Sequence, residues 1–156
     1  MLSLRPLQEN AFSDYLAFSI EEYAKEMAIN FELPLEKARE VASAQATGQL
    51  VDGVNTPGNY FYRIEREEDD RREQIGYLWY SINREEGFAY LESIDIFESF
   101  QNQGYGTEVI RLAEEQLAVQ GIRSMRLHVF GANQRALRFY QRHGYKITGY
   151  KMKKNW

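Results

Sequence analysis

The sequence predicts a mixed α/β fold, and three observations carry the prediction. The hydrophobic spacing alternates along the chain between a period near two and a period near 3.6, giving the order β-α-α-β-β-β-α-β-α-β. The 156 residues suit one domain over 1–156, because two would each have a thin core. A glycine-bearing turn, Gln101–Gly106, falls between a strong strand and an amphipathic helix.

Leu2–Leu7 reads as a short first strand with Pro6 near its end. From Phe12 the pattern turns helical, with Phe12, Leu16, Ser19/Ile20, Tyr23 and Met27 at three- and four-residue spacing. A second helix starts after Pro34, carries Leu35, Ala38 and Val41/Ala42 as its apolar stripe, and has Gly48 near its end. Asp52–Asn59 is a loop by its Gly, Pro, Asn and Asp content. Three strand-like runs follow, Tyr60–Glu65, Gln74–Ile82 and Phe88–Phe97, and form an antiparallel meander. The charged stretch Glu67–Glu73 between the first two is expected as a solvated turn.

Gly104–Gln120 is helical, with Val109, Leu112, Ala113 and Leu117 on one face and Gly121 as its C-terminal cap. Met125–Phe130 is expected as a strand. Asn133–His143 is a helix with Asn133 as N-cap and Gly144 just past its end. Tyr145–Lys151 can form a last strand.

Composition narrows the chemistry. The absence of cysteine excludes disulfides, thiolate metal sites and a cysteine nucleophile. Two histidines, His128 and His143, cannot make a His-rich metal cluster, so no metal is expected. Arg5 and Pro6 interrupt any signal-peptide core, and no stretch approaches the roughly 18 apolar residues of a membrane span. A cytoplasmic location, with no membrane partner, is the expectation. The net charge of −4 is opposite to what nucleic-acid binding requires.

The turn Gln101-Asn102-Gln103-Gly104-Tyr105-Gly106 is the most informative segment. A helix N-terminus offers free backbone N–H groups and a positive dipole end, and so attracts phosphate. Glycine lets the backbone approach a pyrophosphate closely. Two other nucleotide motifs fail. The dinucleotide fingerprint needs glycine where Val109 stands. Gly53 to Gly58 has Walker A spacing, but Asn59 and Tyr60 replace its Lys and Ser/Thr.

Downstream, Asn133-x-x-Ala136-x-x-Phe139-Tyr140 runs on to Gly144-Tyr145. Together with Gln101-x-x-Gly104-x-Gly106, and Ile96 five positions before Gln101, this order resembles the GNAT (Gcn5-related N-acetyltransferase) superfamily. The motifs cover roughly residues 88–150; the N-terminal half agrees in element order. The resemblance implies a central, mostly antiparallel sheet with a splayed parallel pair, flanked by four helices. It implies acetyl transfer from acetyl-CoA, as co-substrate, to an amine.

Carried over by position, Ser93, Ile94, Asp95 and Ile96 would meet the pantetheine arm with their backbone. Gln101 would open the turn, and Asn102, Gln103, Gly104, Tyr105, Gly106 and Thr107 would cradle the pyrophosphate. Asn133 would bind the pantetheine arm, a role compatible with capping its helix. Tyr140 would stand near the thioester sulfur and give the leaving thiolate its proton.

Direct transfer needs a neutral amine, so a base must remove a proton. Strict alternation sets Glu92 on one strand face with Tyr90, Ile94 and Ile96, where a carboxylate would have a raised pKa. The same alternation leaves Asp95 on the opposite face, structural or turned to solvent. His128 is the rival base, against the simpler reading of a histidine packed between strands. His143 reads as an ordinary residue at a helix C-terminus.

The resemblance draws the acceptor site from Tyr15, Tyr23, Met27, Phe31 and the Asn55–Tyr60 loop, with Trp79 and Tyr80 from a central strand, although most of these suit a core equally well. Protein N-termini, lysine, polyamines and small drug-like amines are all open as acceptors, and a homodimer is compatible with the family. A non-catalytic acyl-CoA-binding module of the same fold is the alternative function, and a general α/β nucleotide-binding domain is disfavoured by the failed motifs.

Overall fold

The computed structural model describes residues 1–156. Its elements are β1 (Leu2–Pro6), α1 (Phe12–Phe31), α2 (Leu35–Gln49), β2 (Asn59–Glu68), β3 (Arg71–Asn83), β4 (Phe88–Ile96), α3 (Tyr105–Val119), β5 (Met125–Leu127) and α4 (Gln134–Arg142). One five-stranded sheet runs in the order β1-β2-β3-β4-β5. The first four strands pair antiparallel, and β4 pairs parallel with β5. A parallel pair needs a crossover, which α3 provides.

The two faces of the sheet are covered by different helices. Ile64, Leu78, Tyr80, Ala89 and Leu91 pack with Val109, Ile110, Ala113 and Leu117 of α3. On the other face Phe61 and Trp79 pack with Leu7, Leu50 and Tyr15 of α1. The α1–α2 pair closes over Phe130 through Ala24, Met27, Ala38 and Ala42. At the end of α3, Gly121 at φ +80 lets its own N–H reach the Ala118 carbonyl and the Ile122 N–H reach that of Leu117. No helix is long and apolar enough to cross a membrane.

The structure departs from the sequence reading in three places. The charged stretch is not a loop: β2 runs to Glu68 and β3 begins at Arg71. Opposite charges face each other across this hairpin, Glu67 against Arg72 and Glu68 against Arg71, and stabilise the longer pairing. Asp69 and Asp70, both at positive φ, form the two-residue turn. Second, β5 ends at Leu127 rather than Phe130. Third, Tyr145–Lys151 is not a strand. Its backbone makes no hydrogen bond beyond that of the Tyr145 N–H to the Tyr140 carbonyl. β5 ends where its pairing with β4 ends, at Leu91 against Leu127, and no strand of the chain bonds to Tyr145–Lys151.

Pairing between β4 and β5 is limited to Ala89–Leu91 against Met125–Leu127. From Glu92 onward β4 has no partner on that side, so the parallel pair splays open. The Gln101–Gly106 turn lies beyond the open end of β4, with the N-terminus of α3 directly after it.

Candidate active site

The turn is pinned before it is shaped. Gln101 Nε2 donates to the Ile96 carbonyl at 2.9 Å, tying the loop to the last residue of β4. Asn102 at φ +62 and Gly104 at φ +83 then alternate in hand with their neighbours, which turns successive amides to one side. The backbone N–H groups of Asn102 through Thr107 donate to no backbone or side-chain acceptor of the protein. They lie at the positive end of α3, an arrangement suited to an anion.

The two glycines differ in role. Gly104 faces open space and is needed for its positive φ. At Gly106 a Cβ would lie 3.1 Å from Phe139 of α4, so its small size serves helix packing.

α4 also brings Arg135 to the turn, a residue the sequence reading missed. Its Nη1 donates to Gln101 Oε1 at 3.3 Å and its Nη2 to Asn102 Oδ1 at 2.8 Å. A cation therefore stands beside the free amides. His143 braces the same junction and is more than a generic helix-end residue. Its Nδ1 lies 2.7 Å from the Phe139 carbonyl, an acceptor, so Nδ1 carries the proton. Nε2, 3.0 Å from Thr107 Oγ1, is then free to accept from that hydroxyl.

The middle of β4 corrects the strand-face reading. Trp79 pairs with Ser93 and Tyr80 with Leu91, so Glu92 is the extra residue of a β-bulge. Leu91, Ile94 and Ile96 pack against the α3 side. Glu92 turns to the α1–α2 side, where its Oε1 accepts from Gln49 Nε2 at 3.3 Å and from Ser81 Oγ at 3.2 Å. Asp95 is on that side too, with Glu22 and Glu26 of α1 and Tyr15 among its neighbours. Glu92 and Asp95 therefore share a face, because alternation fails at the bulge.

This face holds polar groups without partners. Tyr15 Oη, Ser93 Oγ and Asp95 Oδ2 are buried and accept or donate no hydrogen bond. Tyr15 is 0% exposed. Burial pushes the Asp95 carboxyl up to about 6, and the charges of Glu22 and Glu26 add to the rise. Burial likewise raises Glu92, with Ser81 and Gln49 partly opposing. Glu26 is raised by burial and held back by Asn133. No Lys or Arg pairs with Glu26, Glu92 or Asp95, whereas Glu22 bonds Lys25 at 2.9 Å.

Tyr140 of α4 packs against the α3-side core and is near enough to Asp95 and Glu26 to feel their charge. Burial pushes its phenol up to about 12, and the charges of Asp95 and Glu26 raise it further. Its ring meets Tyr145 edge-on at 5.5 Å. Asn133 caps α4, its Oδ1 accepting from the Ala136 N–H at 3.0 Å, while its amide nitrogen is turned to the Glu26 carboxylate. The structure thus brings Asp95, Glu26, Asn133 and Tyr140 near one another, with Glu92 on the same side of β4 as Asp95.

His128 is exposed rather than packed between strands, because β5 ends before it. It packs edge-on against Phe130 at 5.0 Å, and Phe130 stacks on Tyr23. Of the expected acceptor side chains, Tyr15, Met27, Trp79 and Tyr80 belong to the core, and Tyr23 and Phe31 are exposed. Glu22 and Glu26 were missed, although Tyr15, Ser19, Glu22 and Glu26 recur at helical spacing on one face of α1.

Comparison with known proteins agrees with this geometry. Residues 29–145 match the model of the acetyltransferase (GNAT) family. The chain is 26% identical over 155 residues to YycN of Bacillus subtilis (strain 168), an uncharacterized N-acetyltransferase, covering 98% of this chain and 97% of that one. The crystal structure of YycN superimposes with a TM-score of 0.91 over 100% of this chain and 99% of that one. A PaiA N-acetyltransferase from Thermoplasma acidophilum, solved in complex with coenzyme A, shares the fold at a TM-score of 0.69 and 18% identity, over 97% and 93% of the two chains. With the family match spanning most of the sequence, and the turn of unbonded amides lying beyond the splayed end of β4, the chain belongs to the acetyltransferase (GNAT) family.

Proposed function

We propose that the chain is a single-domain N-acetyltransferase that moves an acetyl group from acetyl-CoA directly to a primary amine, both substrates being bound together. The observation that carries this reading is the turn of unbonded amides, Asn102–Thr107, at the N-terminus of α3 beyond the splayed end of β4, with Asp95 of that strand near enough to Tyr140 for its charge to raise the phenol.

The residues present fit acetyl-CoA. The free amides of Asn102–Thr107 and the Arg135 guanidinium suit its phosphates. The backbone of Ser93–Ile96, paired with β3 but open on its β5 side, and the second N–H of the Asn133 amide suit the amide groups of its arm. When bound, acetyl-CoA supplies an activated acetyl thioester.

The chain's own groups then handle protons. An alkylamine is mostly protonated near neutrality, so a carboxylate must take a proton from it. Asp95 is the strongest candidate, since its charge reaches Tyr140 and it has a lone pair free on Oδ2. Glu92 spends its Oε1 on Gln49 and Ser81, which suits it to orient groups or relay a proton. His128 is reserved for an acceptor bound against Tyr23 and Phe130. Tyr140 holds its proton at neutral pH and can give it to the departing thiolate. Glu26, with no cationic partner, favours an acceptor that arrives positively charged.

The test is a thiol-release assay with acetyl-CoA against a panel of amines and peptides, with thermal unfolding measured alongside. Amine-dependent thiol release supports the reading. Stabilisation by acetyl-CoA with no release across the panel would instead favour an acyl-CoA-binding module.

A further inference from the structure

We propose that His143 takes up a proton as acetyl-CoA binds, and that this proton frees the Thr107 hydroxyl to turn onto the pyrophosphate. The inference rests on the proposed cofactor turn and adds a positioning residue to it.

One face of α4 brackets that turn. Arg135, Phe139 and His143 follow one another at four-residue spacing, so their side chains stand in one column. Arg135 meets Gln101 and Asn102, Phe139 meets Gly106, and His143 meets Thr107. The column therefore spans the row of unbonded amides from its first residue to its last. At the Asn102 end the cation is permanent. At the Thr107 end it depends on a proton.

Two hydrogen bonds fix the proton positions at His143. The Phe139 carbonyl can only accept, so Nδ1 carries a proton. With Nε2 unprotonated, the Thr107 hydroxyl must give its one proton to the bond with Nε2, 3.0 Å away. Its oxygen then shows only lone pairs elsewhere. Oγ1 is attached a few bonds from the nitrogen of the same residue, whose N–H is one of the unbonded amides. An anion on that amide meets the lone pairs at close range and is repelled. A proton on Nε2 reverses the bond. Nε2–H donates to Oγ1, the hydroxyl turns its own proton to a phosphate oxygen, and an imidazolium stands one side chain behind the anion. The proton comes from solvent, and no covalent bond of the ligand changes.

Nothing else in the protein supplies that charge balance. The imidazole packs on the Phe139 ring at 4.5 Å and has no hydrogen-bond partner besides the Phe139 carbonyl and Thr107. Around it stand Arg111, Glu114 and Glu115 of α3, Arg142 of its own helix, and Tyr145 and Lys146 beyond it. Arg123 and Arg126 line the same cavity from the β5 side. Arg111 is paired with Glu115, Glu114 accepts from the Tyr145 hydroxyl at 3.4 Å, and Glu108, next to Thr107, accepts from the Leu2 N–H at 3.4 Å. No carboxylate is bonded to the ring, so a bound diphosphate is the anion that a protonated His143 would serve.

Isothermal titration calorimetry near neutral pH, in buffers of different ionisation enthalpy, counts the protons taken up. The ligand is dephospho-CoA, which has the diphosphate but lacks the 3′-phosphate, whose own second proton would titrate in the same range. Uptake of up to about one proton is expected, with Kd rising by up to about tenfold per unit as pH climbs, because binding then draws on a scarcer proton. Thr107→Val keeps the shape of its side chain, and His143→Gln keeps an uncharged partner for Thr107. Each should bind without proton uptake and with a flat pH dependence. Binding with no uptake in the parent, or uptake that persists in either variant, would overturn the role of His143 and leave the cofactor turn standing. Failure of both dephospho-CoA and acetyl-CoA to bind the parent would instead remove the anion site at the turn, and this role with it.

Discussion

Gly76 of β3 lies directly against the backbone of Asp95 in β4: a Cβ built at Gly76 would overlap the Asp95 carbonyl oxygen and crowd Ile96 Cα. This contact holds β3 close to the stretch of β4 that carries Asp95, and the pairing of Gly76 with Ile96 fixes the register there. Glycine is required because the obstacle is backbone, which cannot swing aside.

Gly76→Ala should therefore destabilise the fold by about 3 kcal/mol or more, the upper end of overpacking costs. Gly48→Ala is the matched control. Gly48 is inside α2 with nothing within 4 Å of a new Cβ, so alanine there should stabilise by about 0.5–1 kcal/mol. Urea unfolding of both variants checks the contrast.

Asp95 gives a pH dependence whose sign can be worked out. Its folded-state value, about 6, is above the 3.8 of the ordinary carboxyl. The folded state therefore binds the proton more tightly, and stability falls as pH rises from about 4 to about 6. Asp95→Asn should be more stable than the parent above pH 7, by up to about 3 kcal/mol, and the difference should shrink below pH 4. The same variant should lose the limb of the kcat/KM profile that rises through about pH 6. A parent whose stability is flat from pH 4 to 7 would remove Asp95 from the proton path.

These relationships mark how far the sequence could be read. Element order was legible because the period changes cleanly between Gln74–Ile82, Phe88–Phe97 and the α3 segment. The anion-binding turn was legible because glycine at Gly104 and the helix start are local features. The faces of β4 were not. A bulge is set by pairing with β3, and nothing in Leu91-Glu92-Ser93 announces that Glu92 is the inserted residue. Arg135 was missed for a similar reason: its partners, Gln101 and Asn102, are more than 30 residues away. The expected last strand, Tyr145–Lys151, was read from an apolar pattern alone, and its backbone makes no ladder hydrogen bond with any strand of the sheet.

Tyr140→Phe tests the proton donor. The hydroxyl is removed while the ring keeps its packing against Tyr145. Loss of a general acid costs about 10²–10⁴ in rate. kcat should drop by about 10² or more, with little change in the KM for acetyl-CoA. Because burial pushes the phenol up to about 12, the parent's rate should show no loss from Tyr140 ionisation up to pH 9. Equal turnover in parent and variant at every pH would remove Tyr140 from the chemistry.

Arg135→Gln tests the turn from the α4 side. The glutamine can still reach toward Gln101 and Asn102 but brings no charge to the free amides of Asn102–Thr107. If Arg135 helps hold phosphate, the KM for acetyl-CoA should rise about tenfold, equivalent to about 1.4 kcal/mol, the low end for a charge-assisted hydrogen bond. kcat should change little, since Tyr140 and Asp95 are untouched. The parent's KM should also climb with salt more steeply than the variant's, because the lost interaction is ionic. A KM that stays put, with unchanged salt dependence, would mean that Arg135 only props the loop, and the backbone amides alone would then carry the anion.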